Sequence, residues 1–214
     1  GAMTSERGIE ATGVDGRLEW LRNSMTAEPS GAAEAAWAWI VGLSERAKTD
    51  AAGADIELNE LFRMGTVPTD LHGPTEGMLV MTTTNPKLDK VVGAVTGLWM
   101  PWQGKRFDST AGSGDNRLTK STGLVSKPLY SMRDAEEGKL AFDFKTYVEA
   151  GKDDPDLQVM VIDYANVEKN PKLVIRSVRD ELVELVNGVF LGKILYNSAD
   201  NYSKIGYFAL RTPR

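Results

Sequence analysis

The stretch Glu181–Tyr196, ELVELVNGVFLGKILY, is the segment on which the fold prediction depends. Asn187 and Gly188 stand between two apolar runs, and this dipeptide readily adopts the positive φ angles that a type I′ hairpin turn requires. The pattern therefore predicts a β-hairpin. A helix over residues 173–186, capped by Gly188, remains an alternative because several apolar residues there also recur at helical spacing.

Further segments on both sides of this hairpin have the composition or the alternation of strands. They are GMLVMTTT at 77–84, KLAFDFKTYV at 139–148, LQVMVIDYA at 157–165 and IGYFALR at 205–211. Short turns between consecutive strands favour an antiparallel sheet over a βαβ series. A strongly curved antiparallel sheet of this length tends to close, which removes its exposed edges. We therefore predict an antiparallel β-barrel over residues 65–214.

The N-terminal part of the chain has a helical pattern instead. SGAAEAAWAWIVGLSERAK, at 30–48, is rich in alanine, and IELNELFRM, at 56–64, places its large apolar residues mostly on one side. We expect residues 4–64 to form a helical region that packs on the barrel, so the fold class is α+β. Gly1–Met3 resemble the remnant of a cleaved expression tag and are left out of the fold prediction.

Composition excludes several kinds of function. The 214 residues carry a formal net charge of −5, which disfavours nucleic acid as a partner. The absence of cysteine removes thiolate nucleophiles, Fe–S clusters and cysteine-ligated zinc, and a single histidine rules out a multi-histidine metal site. No apolar run is long enough for a membrane span, and the N-terminus lacks the basic-then-apolar layout that is typical of a signal peptide. We expect a cytoplasmic protein without a cofactor.

Aromatic and basic residues are concentrated in GLWMPWQGKRFDSTAGSGDNR, at 97–117. Indole rings offer flat apolar contact with a donor at one edge, and adjacent Lys and Arg side chains can hold an anionic group. The alternative is a pair of core tryptophans with an exposed Lys-Arg pair. The glycine-rich run at 111–117 is more typical of a flexible polar loop than of a phosphate-binding loop. The predicted ligand-binding residues are Trp99, Trp102, Lys105, Arg106, Phe107, Asn116 and Arg117.

Three residues are candidates for acid–base catalysis: His72, Lys105 and Asp163. His72 lies among turn-forming residues, where an exposed loop histidine is the alternative interpretation. Asp163 and Tyr164 end a predicted strand, but successive residues of a strand face opposite sides, which argues against their acting as a pair. Asp180 and Glu181 could equally be outward-facing charges of the predicted hairpin.

Three elements of the sequence resemble a bacterial lipocalin-like family of unknown function that carries a GXWXG motif. They are PWQGKRFD at 101–108, LGKI at 191–194 and YFAL at 207–210. The name-giving motif would correspond to Gly73–Gly77, where Thr75 stands in place of the tryptophan. The resemblance covers about the C-terminal two thirds of the chain. It implies a β-barrel with an interior cavity, and it implies no reaction.

Together these observations favour a β-barrel protein that binds a small hydrophobic or amphipathic molecule in an interior cavity. The alternative is a cofactor-independent isomerase, cyclase or lyase that uses acid–base residues in the same cavity. A third hypothesis is a structural or interaction role, with the interior filled by side chains.

Overall fold

The structure is a computed structural model, and it describes residues 13–83, 86–99, 102–118, 133–135, 138–167, 170 and 174–213. The described helices are α1 (Gly13–Ser24), α2 (Pro29–Ala47), α3 (Ala51–Arg63) and α4 (Asp89–Trp99), with a 3₁₀ turn at Ile175–Ser177. The described strands are β1 (Gly73–Pro74), β2 (Glu76–Thr82), β3 (Trp102–Asp108), β4 (Ser113–Leu118), β5 (Arg133–Ala135), β6 (Gly138–Ala150), β7 (Gln158–Asp163), β8 (Val178–Val186), β9 (Val189–Ser198) and β10 (Asn201–Arg211). Gly1–Met3 lie outside the described residues. None of the described helices is both long and apolar enough to cross a membrane.

All ten described strands belong to one antiparallel sheet, in the order β1-β3-β4-β6-β7-β8-β9-β10-β2, with β5 paired to β6. The predicted α+β class and antiparallel sheet are therefore confirmed. One local prediction is corrected: the glycine-rich run at 111–117 is the end of a turn and most of strand β4 rather than a flexible loop. Residues 89–99 form a helix within the part of the chain predicted as a barrel.

The hairpin predicted from Asn187 and Gly188 is confirmed as β8 and β9, and the helical alternative for residues 173–186 is wrong. Val186 pairs with Val189 across the turn, and Gly188 has a φ of 85°. The predicted type I′ turn is wrong, because Asn187 does not have the positive φ that this turn requires. Nearly every residue of both strands is buried, because each face of the sheet is covered. That two-sided burial explains why the apolar pattern fitted a helix as well as a strand.

One face of the sheet packs against the three N-terminal helices. Leu58, Leu61 and Phe62 of α3 lie in the same apolar cluster as Val183 and Leu191 of the central hairpin. Polar contacts attach these helices to the sheet as well. The Ser44 hydroxyl donates to the carbonyl of Val80 at 2.6 Å, and the Lys204 ammonium donates to Asp55 at 2.6 Å. The division into residues 4–64 and 65–214 as domains stays a prediction.

The other face curves around a second apolar cluster. Phe107, Phe144, Phe190 and Phe208 reach it from four different strands, and α4 covers it with half-buried valines and the buried Val95. Contacts across this cluster demonstrate strong curvature. Trp102 of β3 meets Phe208 of β10 edge to face with ring centroids 5.9 Å apart, although many strands separate β3 from β10 in the sheet order.

The predicted closure into a barrel is not present. β1 pairs with β3 over two residues, β2 pairs with β10, and no ladder joins β2 to β3 in the described part of the chain. The reason lies at Thr75, the one residue between β1 and β2. The hydroxyl and the amide of this buried residue both donate to the carbonyl of Lys105 on β3. Before Thr75 the chain pairs with β3 at one edge of the sheet, and after it the chain pairs with β10 at the other edge.

A buried ion pair lies between α3 and the outer face of the hairpin. The Lys193 ammonium donates to Asp154 at 2.7 Å and to Asn59 at 2.6 Å, and the Arg63 guanidinium donates to the second oxygen of Asp154 at 3.0 Å. Burial alone would raise the pKa of the Asp154 carboxyl, but the hydrogen bonds from Lys193 and Arg63 lower that pKa overall. The carboxylate therefore holds helix, loop and sheet together in its ionised form.

Replacing Asp154 with Asn should lower the free energy of unfolding at pH 7 by about 3 kcal/mol, because the buried Lys193 ammonium loses its counter-charge. Urea denaturation followed by circular dichroism measures this change. Asp153→Asn on the same loop is the matched control, since Asp153 is exposed; its effect should stay within about 0.5 kcal/mol.

The difference between the wild type and Asp154→Asn should also depend on pH. A carboxyl whose pKa is lowered by folding stabilises the protein above its unfolded-state pKa of 3.8, and this contribution is lost as the pH falls through the folded-state value. The two proteins should therefore converge in stability at pH values below 3.8. An equal gap at pH 7 and at pH 2 would contradict the role assigned to the ionised carboxylate.

Candidate functional site

Five polar or aromatic side chains meet inside the curved sheet. Trp102 and Lys105 come from β3, Asn116 from β4 and Asp180 from β8, while Tyr164 directly follows β7. Lys105 and Asp180 are completely buried, and Asn116 and Tyr164 are nearly so. These side chains form the candidate site, named here the polar cluster.

A backbone irregularity allows Trp102 and Lys105 to share this interior. Residues three apart on a regular strand face opposite sides of the sheet. The pairing of β3 with β4 shifts register between Trp102 and Gly104, as in a β-bulge, and this shift turns the indole to the side that Lys105 occupies. Gly104 has a φ of 147°, and a Cβ there would collide with the carbonyl of Thr75. The position therefore requires glycine.

Gly77 provides the space in which the Trp102 indole lies. A Cβ built on Gly77 would fall only 2.3 Å from the ring of Trp102, so the ring rests directly on the backbone of β2. The indole also packs edge to face on Phe208. Backbone contact on one side and an aromatic ring on another fix the orientation of Trp102, whose Nε1 donates to Asn116 at 3.0 Å.

Lys105 is the centre of the hydrogen-bond network. Its ammonium donates to Tyr164 at 2.6 Å and to Asn116 at 2.8 Å, and it lies 3.2 Å from Asp180 Oδ2. Tyr164 in turn donates to the same oxygen of Asp180 at 3.2 Å. The Asn116 amide donates to the carbonyl of Phe142 at 2.9 Å and to the Tyr164 hydroxyl at 3.2 Å.

A count of donors and acceptors leaves one position of this cluster open. Every N–H and O–H hydrogen of the side chains of Trp102, Lys105, Asn116 and Tyr164 has an acceptor within the network. The oxygens of Asn116 and Tyr164 each accept two hydrogen bonds, and so does Asp180 Oδ2. Asp180 Oδ1, by contrast, is buried and has no hydrogen-bond partner among the described residues.

Aromatic rings surround the buried ammonium. The rings of Trp102, Phe144, Tyr164 and Phe208 have their centroids 5.2 to 5.7 Å from Lys105 Nζ. Ring faces attract cations most strongly where water is absent, so these contacts compensate in part for the lost hydration of the ammonium. They also hold the lysine side chain in one place.

Burial acts against charge on both members of the ion pair. It lowers the pKa of Lys105, while the charge and hydrogen bond of Asp180 oppose this shift. Burial likewise raises the pKa of Asp180, against the effects of Lys105 and Tyr164. The pKa of the Tyr164 hydroxyl is raised well above its ordinary value, first by burial and then by the charge of Asp180, so the phenol stays protonated.

A small cavity of about 30 Å³ adjoins the polar cluster. Asp180, Tyr164, Asn116 and Trp102 form its polar wall, and Lys105 lies behind them rather than in the wall itself. The remaining wall is apolar and consists of Val95, Leu118, Phe142, Ile175 and Val178. A volume of this size holds about two water molecules.

The predicted ligand-binding residues separate into two groups. Trp102, Asn116 and Phe107 face the interior, as does Lys105. Arg106 faces outward, where it makes a two-pronged ion pair with Asp115 at 3.1 and 2.7 Å. Arg106 and Lys105 alternate along β3, so they cannot hold one ligand together.

Two more predicted residues belong to the surroundings of this interior. Arg117 donates to the carbonyl of Thr75 at 2.6 Å and so braces the chain where it changes edges. Trp99 ends α4, and its side chain lies outside the described residues. That these residues bind a ligand stays a prediction.

His72 and Asp163, the other catalytic candidates, lie away from the polar cluster. His72 Nδ1 accepts the backbone N–H of Ser109 at 3.1 Å on an exposed surface groove. Asp163 is buried on the opposite side of the strand and accepts hydrogen bonds from Tyr147 and Asn166. Tyr164 points inward instead, so the two neighbours have separate surroundings, in line with the strand alternation.

Sequence reasoning missed two residues of the site, Tyr164 and Asp180. The sequence leaves open whether Asp180 and Glu181 are outward-facing charges of the hairpin, as charged residues usually are, and both are completely buried. One signal was present in the sequence. The charged pair begins a long apolar hairpin, where at least one of two successive strand residues must face a covered side of the sheet.

Comparisons with known proteins add little to this geometry. No protein-family model matches the chain, and no curated protein matches it in sequence. One solved structure that resembles it is a crystal structure of a protein from Thermomonospora curvata, with 15% sequence identity, 81% of this chain and 99% of that chain covered, and a TM-score of 0.44. A likeness at this level implies neither a shared fold nor a shared function.

Replacing Lys105 with Met should lower the free energy of unfolding by about 3 to 5 kcal/mol, because it leaves the Asp180 carboxylate buried without a counter-charge. Denaturant titration with circular dichroism detection measures the loss. The double variant Lys105→Met with Asp180→Asn should recover most of it, since it removes both charges together.

Arg106→Met is the matched control for this prediction, because Arg106 is the adjacent cation and is about half exposed. Its partner Asp115, by contrast, is nearly buried. The loss of this ion pair should therefore cost more than the about 1 kcal/mol of an exposed pair and less than the about 3 kcal/mol of a buried pair. Equal losses for the two single variants would contradict the assignment of Lys105, rather than Arg106, to the interior.

Proposed function

We propose that this protein binds a small amphipathic molecule in the cavity beside the polar cluster. The observation that supports this most directly is that Asp180 lines an otherwise largely apolar cavity and that its buried Oδ1 has no hydrogen-bond partner among the described residues. A buried acceptor left unsatisfied costs about 1 to 3 kcal/mol. A bound molecule that supplied the missing hydrogen bond would remove this cost.

Binding is better supported than catalysis, because the donor groups of the polar cluster already form hydrogen bonds with one another. Acid–base catalysis on a carbonyl compound needs a donor for the oxyanion that develops in the transition state. In the polar cluster each side-chain N–H and O–H hydrogen is already donated within the network. The cluster is thus better suited to recognising a group than to transforming it.

The size of the cavity limits how a ligand can enter. About 30 Å³ is far below the several hundred Å³ of typical small-molecule sites, so a ligand with several carbon atoms fits only if a wall moves. The wall with the weakest attachment is α4. Within residues 89–97 its side chains make no hydrogen bond or ion pair to another described element, and Thr96 bonds only to its own helix.

The composition of α4 is consistent with such movement. Gly93 and Gly97 lie inside the helix with open space around them, and each interior glycine weakens a helix by about 1 kcal/mol relative to alanine. Among the described residues, the helix is held by the buried Val95 and the half-buried Val91 and Val92. Displacing residues 89–97 therefore breaks no side-chain hydrogen bond or ion pair to another described element, and a ligand replaces the apolar contacts that are lost.

The test uses 1-pentanol as the probe and the indole N–H resonance of Trp102 as the readout. Trp102 lines the cavity, and the variant Trp102→Phe identifies its signal among the five tryptophans. Addition of 1-pentanol should shift this resonance in a saturable way. Absence of any saturable shift up to the solubility of 1-pentanol would contradict the proposed function.

Substitutions on α4 locate the binding to the cavity. Val95→Phe should abolish the saturable shift, because the new ring occupies the cavity, whereas Val95→Ala should tighten binding by enlarging it. Ala94→Phe is the matched control, since it places the same ring at the exposed neighbouring position of the helix. It should leave the affinity within about twofold of the wild type.

A further inference from the structure

We infer that the molecule taken by this cavity is a neutral hydrogen-bond donor, an alcohol or a compound with one comparable O–H or N–H group, whose donor binds Asp180 Oδ1. This inference rests on the proposed function and names the ligand chemistry that the site selects. It replaces the expectation from the sequence that Lys105 and Arg106 would hold an anionic group.

The vacant hydrogen-bonding position of the polar cluster is an acceptor. Asn116 and Tyr164 have no accepting position left, and every donor hydrogen of the polar cluster is used. Asp180 Oδ1 is an acceptor and is completely buried. A ligand that brings only an acceptor, such as an ether or a ketone, therefore finds no complementary group on the polar wall.

The polar cluster as a whole has no net charge. Lys105 and Asp180 form an ion pair with no net charge, and Trp102, Asn116 and Tyr164 are neutral side chains. An ammonium or a carboxylate ligand would add one unit charge to an interior without a second counter-ion, which is costly away from water. A carboxylate would also face the oxygen of Asp180 directly. The cluster thus disfavours ions of either sign.

The cavity wall has a polar side and an apolar side. The polar residues lie on one side, and the apolar side is formed by Val95, Leu118, Phe142, Ile175 and Val178. A ligand with a single polar end and an apolar body matches this division. A polyol or a sugar would place further hydroxyl groups against apolar side chains, where they would lose their hydrogen bonds to water.

The test compares 1-pentanol with butyl methyl ether, which has the same atoms and nearly the same shape but no donor. Both are titrated into the wild-type protein, and the shift of the Trp102 indole N–H resonance is followed. The dissociation constant of the ether should be at least about tenfold higher than that of the alcohol, as for loss of a hydrogen bond to a charged group. Pentanoate and pentylammonium should likewise bind at least about tenfold more weakly than 1-pentanol.

Two carboxylates on the same strand provide matched variants. Asp180→Asn should reduce the preference for the alcohol over the ether to less than about threefold, because an amide can present its NH₂ group to the ether oxygen. Glu181→Gln is the control, since Glu181 is equally buried, also has an oxygen without a hydrogen-bond partner among the described residues, and faces the opposite side of β8. It should leave the preference unchanged.

Asp180→Asn leaves Lys105 without a counter-charge, so the double variant Asp180→Asn with Lys105→Met serves where the single variant does not fold. It should show the same loss of preference. Equal binding of alcohol and ether by the wild type, or tighter binding of either ion, would overturn this inference while leaving the proposed function intact. Failure of all four compounds to bind would overturn the proposed function itself.

Discussion

The ion pair between Lys105 and Asp180 is the interaction on which the architecture of the interior depends. Lys105 lies on β3 and Asp180 on β8, and β4, β6 and β7 separate these strands in the sheet. In a flat sheet four steps between neighbouring strands would span about 19 Å. Contact at 3.2 Å therefore requires the sheet to curl until its two parts face each other. The pair is both a product of the curvature and a bond that maintains it.

The parts of the fold that depend on local backbone geometry could be predicted from the sequence, whereas the parts that depend on contacts between distant residues could not. The turn at Asn187 and Gly188 depends on local backbone geometry, so it was visible in the sequence. Whether the sheet closes into a barrel depends on the break between strands β1 and β2. This break lies at Thr75, which forms hydrogen bonds to Lys105, a residue distant in the chain. The likeness to the GXWXG family implied a barrel, and the described pairing stops short of one.

The sequence indicated some residues of the polar cluster but not how they are arranged. Trp102 and Lys105 could be predicted because aromatic and basic residues of this density are unusual in a loop, and Asn116 because the neighbouring glycine-rich run could reach into a pocket. Their arrangement depends on the register shift in β3, which no local pattern in the sequence predicts. The same alternation that turns Lys105 inward turns Arg106 outward, so a basic pair in the sequence became one buried and one exposed cation.

The balance of the polar cluster connects stability to recognition. A lysine in an apolar interior is tolerated only when counter-charge, hydrogen bonds and aromatic faces replace its hydration. Asp180 supplies the counter-charge through one oxygen, and that oxygen also accepts from Tyr164. Neutralising the lysine therefore uses one oxygen of the carboxylate and leaves the other without a hydrogen-bond partner among the described residues. The oxygen that we infer to accept a ligand's hydrogen bond is thus a direct consequence of how the fold keeps a charged lysine in its core.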